Sequence, residues 1–180
     1  MSQHILIKKK ALKKESCKKI VDEINNLEDY KSLYKQRKNY YCGASVNVYE
    51  QFWSKNLFDC ILKYKNKHKF LDNENHAGWI VNPECNYQKY KPNQYYMSEH
   101  CEQSGQEIES RRMLVWMIYC NTIKNGGETY FPQQKLSIKP EEGTVVIWPA
   151  AWTHSHYGKP AIKEHKYIIT GWASYKKFIN

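Results

Sequence analysis

The sequence lacks paired cysteines and a long apolar run, and we do not expect its opening residues to act as a secretory leader. Its six cysteines are scattered without any C-x-x-C pair, which argues against a zinc ribbon and a small disulfide scaffold. No run reaches the roughly 20 apolar residues that a membrane-spanning helix needs, and lysines break up the short apolar patch in the opening MSQHILIKKKALKKES. We therefore expect a cytoplasmic protein with reduced thiols and no membrane partner.

Internal repeats and low-complexity linkers are also missing from the chain. Its 180 residues suit one domain of ordinary size, and 41% hydrophobic and 14% aromatic residues are typical of a globular fold rather than of a disordered chain. We expect a single domain over residues 1–180.

Positive charge is concentrated at the start of the chain. Residues 1–70 hold 16 Lys/Arg and 7 Asp/Glu, whereas residues 71–180 hold 12 and 11, so nearly all of the net charge of +10 lies in the first part. Such a flank either attracts nucleic acid, an acidic protein or an anionic surface, or is the solvated face of lysine-rich helices. The second interpretation is favoured, and nucleic acid stays a weakly supported partner.

The apolar pattern changes from helical to strand-like near residue 76. Ile20 and Ile24 recur at helical spacing after Ser16, a suitable N-cap, and FWSKNLFDCILKYKNKHKF indicates a second helix. The rest alternates turn residues with the β-forming runs GWIVN, CNYQKY, RRMLVWMIYCN, TYFPQ, KLSIK, GTVVIWP and HKYIITGWASY. This order predicts an α+β fold, with a barrel or sandwich core over residues 76–180 and mainly helical support in residues 1–75.

His100 and Glu102 are separated by a single residue. On a strand they project to the same face, where an imidazole and a carboxylate make two ligands for a divalent metal. The pair alone is weak evidence, because His-x-Glu also occurs by chance on polar strand faces.

A third ligand is available in WTHSHYGKP, as either His154 or His156. Two histidines and one carboxylate form the facial triad suited to non-haem Fe(II), and they leave positions open for a chelating cosubstrate and dioxygen. Zinc hydrolases use the same ligand types, but nothing in the sequence looks like a helical H-E-x-x-H.

Lys166 lies ten residues after His156, in the apolar run KYIITGW. A hairpin or a turn followed by a strand would place its ammonium one cosubstrate length from the metal. Burying a cation in a barrel costs free energy, and the far carboxylate of a dianionic ligand would offset that cost. The alternative is an exposed lysine on an edge strand, which the apolar neighbours make less attractive.

Taken in order, these residues resemble the prolyl 4-hydroxylase-like Fe(II)/2-oxoglutarate-dependent dioxygenases. The resemblance covers roughly residues 78–175, and the motifs that carry it are Tyr90-x-x-Asn93-x-x-Tyr96, His100-x-Glu102, Arg112…Tyr119-x-Asn121, GGETYFP, KPEEGT, His156…Pro160…Lys166 and Trp172. It implies a double-stranded β-helix (jelly-roll) core with supporting N-terminal helices. It also implies Fe(II), 2-oxoglutarate and O2 as cofactors, with ascorbate as a candidate reductant.

The resemblance assigns a role to each matched residue. The implied iron ligands are His100, Glu102 and His156, and His156 is preferred to His154 because its distances to Pro160 and Lys166 match the family. The implied cosubstrate residues are Tyr90, Tyr119, Lys166, Thr170 and Trp172. Arg112, Trp152 and His154 are the candidates for contact with the substrate.

Two positions depart from the family pattern. Glu102 stands where Asp is usual, and it supplies the same anionic oxygen on a longer side chain. Asn93 replaces a glycine and can adopt the same left-handed turn. The nearest implied substrate is a prolyl residue of a peptide or protein. The alternatives are a small metabolite, a modified nucleic acid, or a non-catalytic jelly-roll module that only binds metal.

Overall fold

The structure is a computed structural model that describes residues 4–27, 42–72 and 78–176. Its helices are α1 (Lys14–Asn26), α2 (Ser54–Lys67) and the short α3 (Glu107–Ser110). The strands are β1 (Leu6–Lys8), β2 (Cys42–Asn47), β3 (Trp79–Tyr90), β4 (Arg112–Tyr119), β5 (Thr129–Phe131), β6 (Leu136–Ile138), β7 (Thr144–Pro149), β8 (Tyr157–Gly158) and β9 (Lys166–Tyr175). Short 3₁₀ turns lie at Val48–Glu50, Lys69–Asp72 and Trp152–His154.

Two antiparallel sheets face each other across an apolar core. The larger has the strand order β1-β7-β4-β9-β3-β2, and the smaller has the order β6-β5-β8. Val115, Met117 and Val146 of the larger sheet form one buried cluster with Phe131 and Ile138 of the smaller sheet. The arrangement confirms the double-stranded β-helix core.

Helices α1 and α2 cover the other face of the larger sheet. Successive residues of a strand point to opposite faces, and on β4 the side chains of Leu114, Trp116 and Ile118 join a second buried cluster with Ile20 of α1 and Leu57 of α2. Strand β4 lies between β7 and β9, and it is apolar on both faces because both faces are covered.

Strand β3 differs from the sequence prediction. The runs GWIVN and CNYQKY form one strand, and its pairing with β9 shifts register between Val81 and Cys85. Pro83 has no N–H to donate to a ladder, so it is accommodated where the register shifts. The turn expected at Asn82-Pro83 is therefore a bulge within a strand.

The N-terminal part contributes strands as well as helices. Strand β1 pairs with β7 and β2 pairs with β3, so both extend the larger sheet at its edges. Ser16 as N-cap was wrong, because α1 begins at Lys14 after the flanking residue Lys13. The single domain and its division at residue 75 stay predictions. Within the described ranges, no helix is long and apolar enough to cross a membrane.

Candidate active site

Three of the predicted residues meet at one place between the sheets. The ligand atoms of His100, Glu102 and His156 all lie within 4.8 Å of one another. His100 and His156 face each other in an isolated antiparallel bridge, and their rings are 4.4 Å apart. The strand expected at His100-Cys101-Glu102 is reduced to this bridge, and the backbone N–H of Glu102 donates instead to the carbonyl of Ala150 at 3.1 Å.

Backbone carbonyls orient both imidazoles. Nδ1 of His100 lies 2.9 Å from the carbonyl oxygen of Ser98, and Nδ1 of His156 lies 3.1 Å from that of His154. A carbonyl only accepts, so each Nδ1 carries a proton, and in a neutral imidazole the lone pair is then on Nε2. Both Nε2 atoms face Oε1 of Glu102, at 3.4 Å from His100 and 3.9 Å from His156. This arrangement presents three donor atoms to one point.

Burial and charge set the protonation of the three groups. Burial, followed by the neighbouring His100 ring, lowers the pKa of His156 to about 4, so this imidazole is neutral at pH 7. Burial acts in the same direction on His100, but the hydrogen bond and charge of Glu102 outweigh it and raise the His100 pKa. Burial opposes the ionisation of Glu102, yet His100 and His156 hold the Glu102 pKa below its ordinary value. Glu102 and His156 are thus already in the form that binds a metal.

A cavity of about 220 Å³ opens beside the three residues. Trp148 lines it and packs its ring 5.0 Å from that of His156, while Phe131 packs 5.3 Å from the same imidazole. These aromatic walls hold His156 in place and exclude water from one side of the site. Tyr96 packs 4.2 Å from the His100 ring and also lines the cavity.

Lys166 lines the same cavity at the first position of β9. It is only 6% exposed, and burial lowers the pKa of its ammonium to about 8, although Glu128 partly opposes the effect. The ammonium lies over the rings of Tyr90 at 5.8 Å and Tyr119 at 5.6 Å. Within the described parts of the chain it forms no ion pair with a carboxylate.

The other expected cosubstrate residues surround Lys166 or the three ligand candidates. Tyr90, Thr170 and Trp172 line the cavity. Tyr119 is fully buried, and its hydroxyl donates to Oγ1 of Thr129 at 2.7 Å. Tyr119 therefore does not line the cavity itself. It contacts two residues that do, Thr129 through its hydroxyl and Lys166 through its ring.

The three residues expected to contact substrate have different surroundings. The His154 ring lies outside the three-residue cluster, and Nδ1 of His154 lies 3.0 Å from Oγ1 of Thr153. Arg112 donates to the side chain of Glu102 at 3.3 Å. Trp152 is 71% exposed, in the 3₁₀ turn that precedes His156.

Sequence reasoning missed several polar residues of the cavity. Asn86 and Gln88 project into it from β3, on the same face as Tyr90, and Tyr90 donates its hydroxyl proton to Oε1 of Gln88 at 3.0 Å. Thr129 lines it from β5. The signal was present in CNYQKY, where Asn86, Gln88 and Tyr90 share one strand face by their period of two.

A family model for the 2OG-Fe(II) oxygenase superfamily matches residues 85–174. The chain belongs to this superfamily. The matched region contains all three members of the cluster together with Lys166. It also contains Tyr90, Arg112 and Trp172, so superfamily membership and site geometry concern the same part of the fold.

Curated relatives and solved structures agree with the assignment. A protein of Acanthamoeba polyphaga mimivirus, provisionally named a prolyl 4-hydroxylase, is 33% identical over 106 residues, which cover 50% of this chain and 44% of the relative. The human prolyl 4-hydroxylase subunit alpha-1 is 26% identical over 68 residues, or 34% of this chain and 13% of the subunit. This chain thus matches less than half of the length of either relative.

Two solved structures share the fold. The viral collagen prolyl hydroxylase of Paramecium Bursaria Chlorella virus-1, solved as a 2OG complex, has a TM-score of 0.77 at 17% identity and covers 97% of this chain and 98% of its own. A Pseudomonas putida prolyl-4-hydroxylase has a TM-score of 0.71 at 16% identity, with 98% and 95% covered. At these identities the likeness shows the jelly-roll fold.

The residues of the site fit Fe(II) and 2-oxoglutarate. Two imidazole nitrogens and one carboxylate oxygen are the donor set of superfamily iron sites, and they converge on one point. Lys166 supplies a buried cation in the same cavity, where the second carboxylate of a dianion would offset the cost of desolvation. His154 does not belong to the donor set.

Proposed function

We propose that this protein is an Fe(II)- and 2-oxoglutarate-dependent dioxygenase that hydroxylates a prolyl residue of a peptide or protein. The observation that carries the proposal is a single cavity lined both by the cluster of His100, Glu102 and His156 and by the buried ammonium of Lys166. When bound, Fe(II) with 2-oxoglutarate and O2 supplies the oxidising power that inserts one oxygen atom into a C–H bond and releases succinate and CO2.

The side chains of the chain position the reactants and keep water out. His100, Glu102 and His156 would hold the metal through two imidazole nitrogens and one carboxylate oxygen. Lys166 would pair with the far carboxylate of 2-oxoglutarate, and this charge-assisted contact would orient the cosubstrate. Trp148 and Trp172 close the walls of the cavity with apolar surface.

The substrate class rests on the relatives and on the exposed aromatic surface. Proteins of similar fold include a prolyl hydroxylase from Trichoplax adhaerens in complex with a peptide fragment of a hypoxia inducible factor, with a TM-score of 0.70. In this chain Trp152 is exposed just before His156, and large exposed aromatic side chains are typical of surfaces that bind peptides. We assign Trp152 to substrate contact, and the same role for His154 and Arg112 stays a prediction. The cytoplasmic location stays a prediction.

Anaerobic metal and cosubstrate binding tests the proposed site without a substrate. Fe(II) followed by 2-oxoglutarate should give the weak visible charge-transfer band of the chelate. The band should survive His154→Ala, disappear in His156→Ala, and require far more 2-oxoglutarate in Lys166→Ala. If the wild type shows neither the band nor 2-oxoglutarate binding, the family resemblance concerns the fold alone. A non-catalytic metal-binding module would then be favoured.

Turnover tests the substrate class. Proline-containing peptides incubated with the enzyme, Fe(II), 2-oxoglutarate and ascorbate under air should gain one oxygen atom, with succinate formed in equal amount. The matched control replaces each proline by alanine. Trp152→Ala should raise the KM for the peptide without changing the affinity for 2-oxoglutarate. Equal succinate formation from both peptide sets would exclude prolyl hydroxylation.

A further inference from the structure

The two carboxylate oxygens of Glu102 have different partners. Oε1 faces the imidazoles of His100 and His156, at 3.4 and 3.9 Å from their Nε2 atoms. Oε2 accepts hydrogen bonds from Nε1 of Trp172 at 2.9 Å and from Nη1 of Arg112 at 3.3 Å. One oxygen is thus directed at the candidate metal position, while two donors occupy the other.

Arg112 is itself held in place around Glu102. Its Nη1 also donates to the backbone carbonyl of Glu102 at 3.1 Å, and its guanidinium stacks on the Trp172 ring at 4.0 Å. A further ion pair with Glu109 measures 3.7 Å. Because Arg112 contacts both the main chain and the side chain of Glu102, it restrains the backbone and the rotamer of that residue together.

We propose that Trp172 and Arg112 are positioning residues and form a clamp that holds Glu102 as a one-oxygen metal ligand. The proposal rests on the metal site of the proposed function.

The larger sheet holds both donors in place. Trp172 lies within β9, which is paired on both sides by β3 and β4. Arg112 opens β4, just before the register shift against β9. Both are tied to the ladder of the larger sheet, so strand pairing fixes the positions of the two donors independently of Glu102. Arg112, neutralised by Glu102 and Glu109, is occupied and unsuited to recognise an acidic substrate.

The experiment measures the dissociation constant for Mn(II) by the EPR signal of free Mn(II), without turnover. Trp172→Phe keeps a ring beneath Arg112 but removes the indole N–H, and Arg112→Lys keeps the charge but loses the planar fork. Each should weaken Mn(II) binding by about tenfold or more, as is usual for groups that orient a ligand. The neighbouring Arg111→Gln, as control, should bind Mn(II) as the wild type does.

A double-mutant cycle separates positioning from general structural damage. In a Glu102→Ala background, which lacks the group that is oriented, Trp172→Phe should change the residual Mn(II) binding by less than twofold. Arg112→Lys serves in the same cycle if Trp172→Phe does not fold. If the two substitutions raise the dissociation constant for Mn(II) by independent factors that multiply, the clamp is overturned. It is also overturned if the single variants bind Mn(II) within twofold of the wild type. Wild-type protein that binds no Mn(II) would overturn the metal site itself.

Discussion

His100 and His156 exchange both of their backbone hydrogen bonds, at 3.0 and 2.9 Å. The residues just before them are joined as well, since the hydroxyl of Ser155 donates to Oε1 of Glu99 at 2.6 Å. The two imidazoles come from segments far apart in the sequence. Their spacing therefore depends on this bridge and on the side-chain pair beside it.

Ser155→Ala should weaken metal binding without abolishing it. The substitution removes one charge-assisted hydrogen bond beside the bridge, worth about 1 kcal/mol, which corresponds to about a fivefold rise in the dissociation constant for Mn(II). The control is Ser137→Ala, at an exposed position of β6 that is remote from the bridge. If both variants bind Mn(II) equally well, the Glu99–Ser155 pair does not support the site.

Lys166→Met should stabilise the ligand-free protein in a pH-dependent manner. Burial lowers the pKa of Lys166 to about 8, whereas an unfolded lysine has a pKa of about 10.4. Below pH 8 both states are protonated, and the folded wild type bears the whole cost of the buried charge. Between about pH 8 and 10.4 the folded state loses its proton first, so the free energy of unfolding of the wild type rises with pH.

Urea denaturation at several pH values measures this difference. The free energy of unfolding of Lys166→Met should exceed that of the wild type by on the order of 1–3 kcal/mol at pH 7. This difference should shrink towards zero near pH 10.5. Lys163→Met, at an exposed position, should show no such trend. A gap that stays constant with pH would mean that folding does not lower the pKa of Lys166.

Binding of 2-oxoglutarate should take up a proton above pH 8. The far carboxylate needs the protonated form of Lys166, whose pKa of about 8 leaves it partly deprotonated at alkaline pH. Calorimetric titration of the Mn(II)-loaded protein at pH 9, in two buffers of different ionisation enthalpy, counts the protons. Lys166→Arg should take up none, because a guanidinium stays charged. Equal uptake by both proteins would assign the proton to another group.

Gly171→Ala should destabilise the fold. A Cβ at this position would lie 2.3 Å from Cζ2 of Trp116 and 3.0 Å from Cβ of Cys85, in the core between the larger sheet and the helices. Overpacking of this kind costs about 1–3 kcal/mol of the free energy of unfolding. Gly105→Ala has no atom within 4 Å of its added methyl. If the thermal unfolding midpoint falls equally in Gly171→Ala and Gly105→Ala, crowding against Trp116 is not the cause of the destabilisation.

Some of the site could be predicted because it depends on residue type and order. The pair His100 and Glu102, a later histidine and a lysine in an apolar run belong to an ordered set of motifs whose resemblance to one family implies its chemistry. The choice of His156 over His154 rested on spacing to Lys166, and the structure places the His156 ring in the cluster with Glu102 and the His154 ring outside it.

Other parts could not be predicted from the pattern. The strand expected at Glu102 was wrong, because a single bridge at His100 is enough to place both residues. Substrate contact by Arg112 stays a prediction, but its contacts with Glu102 and Trp172 were not foreseen. Those contacts join three segments whose proximity only the folded sheet creates.

The sequence by itself determined the fold class, the donor types and the lysine, because hydrophobic periodicity and side-chain chemistry are local properties. Only the tertiary structure decided which nitrogen of each histidine faces the site, which oxygen of Glu102 is left for a metal, and that the ammonium of Lys166 is buried. These depend on backbone carbonyls, indole donors and aromatic walls supplied by distant strands, and sheet pairing alone brings them within hydrogen-bonding distance.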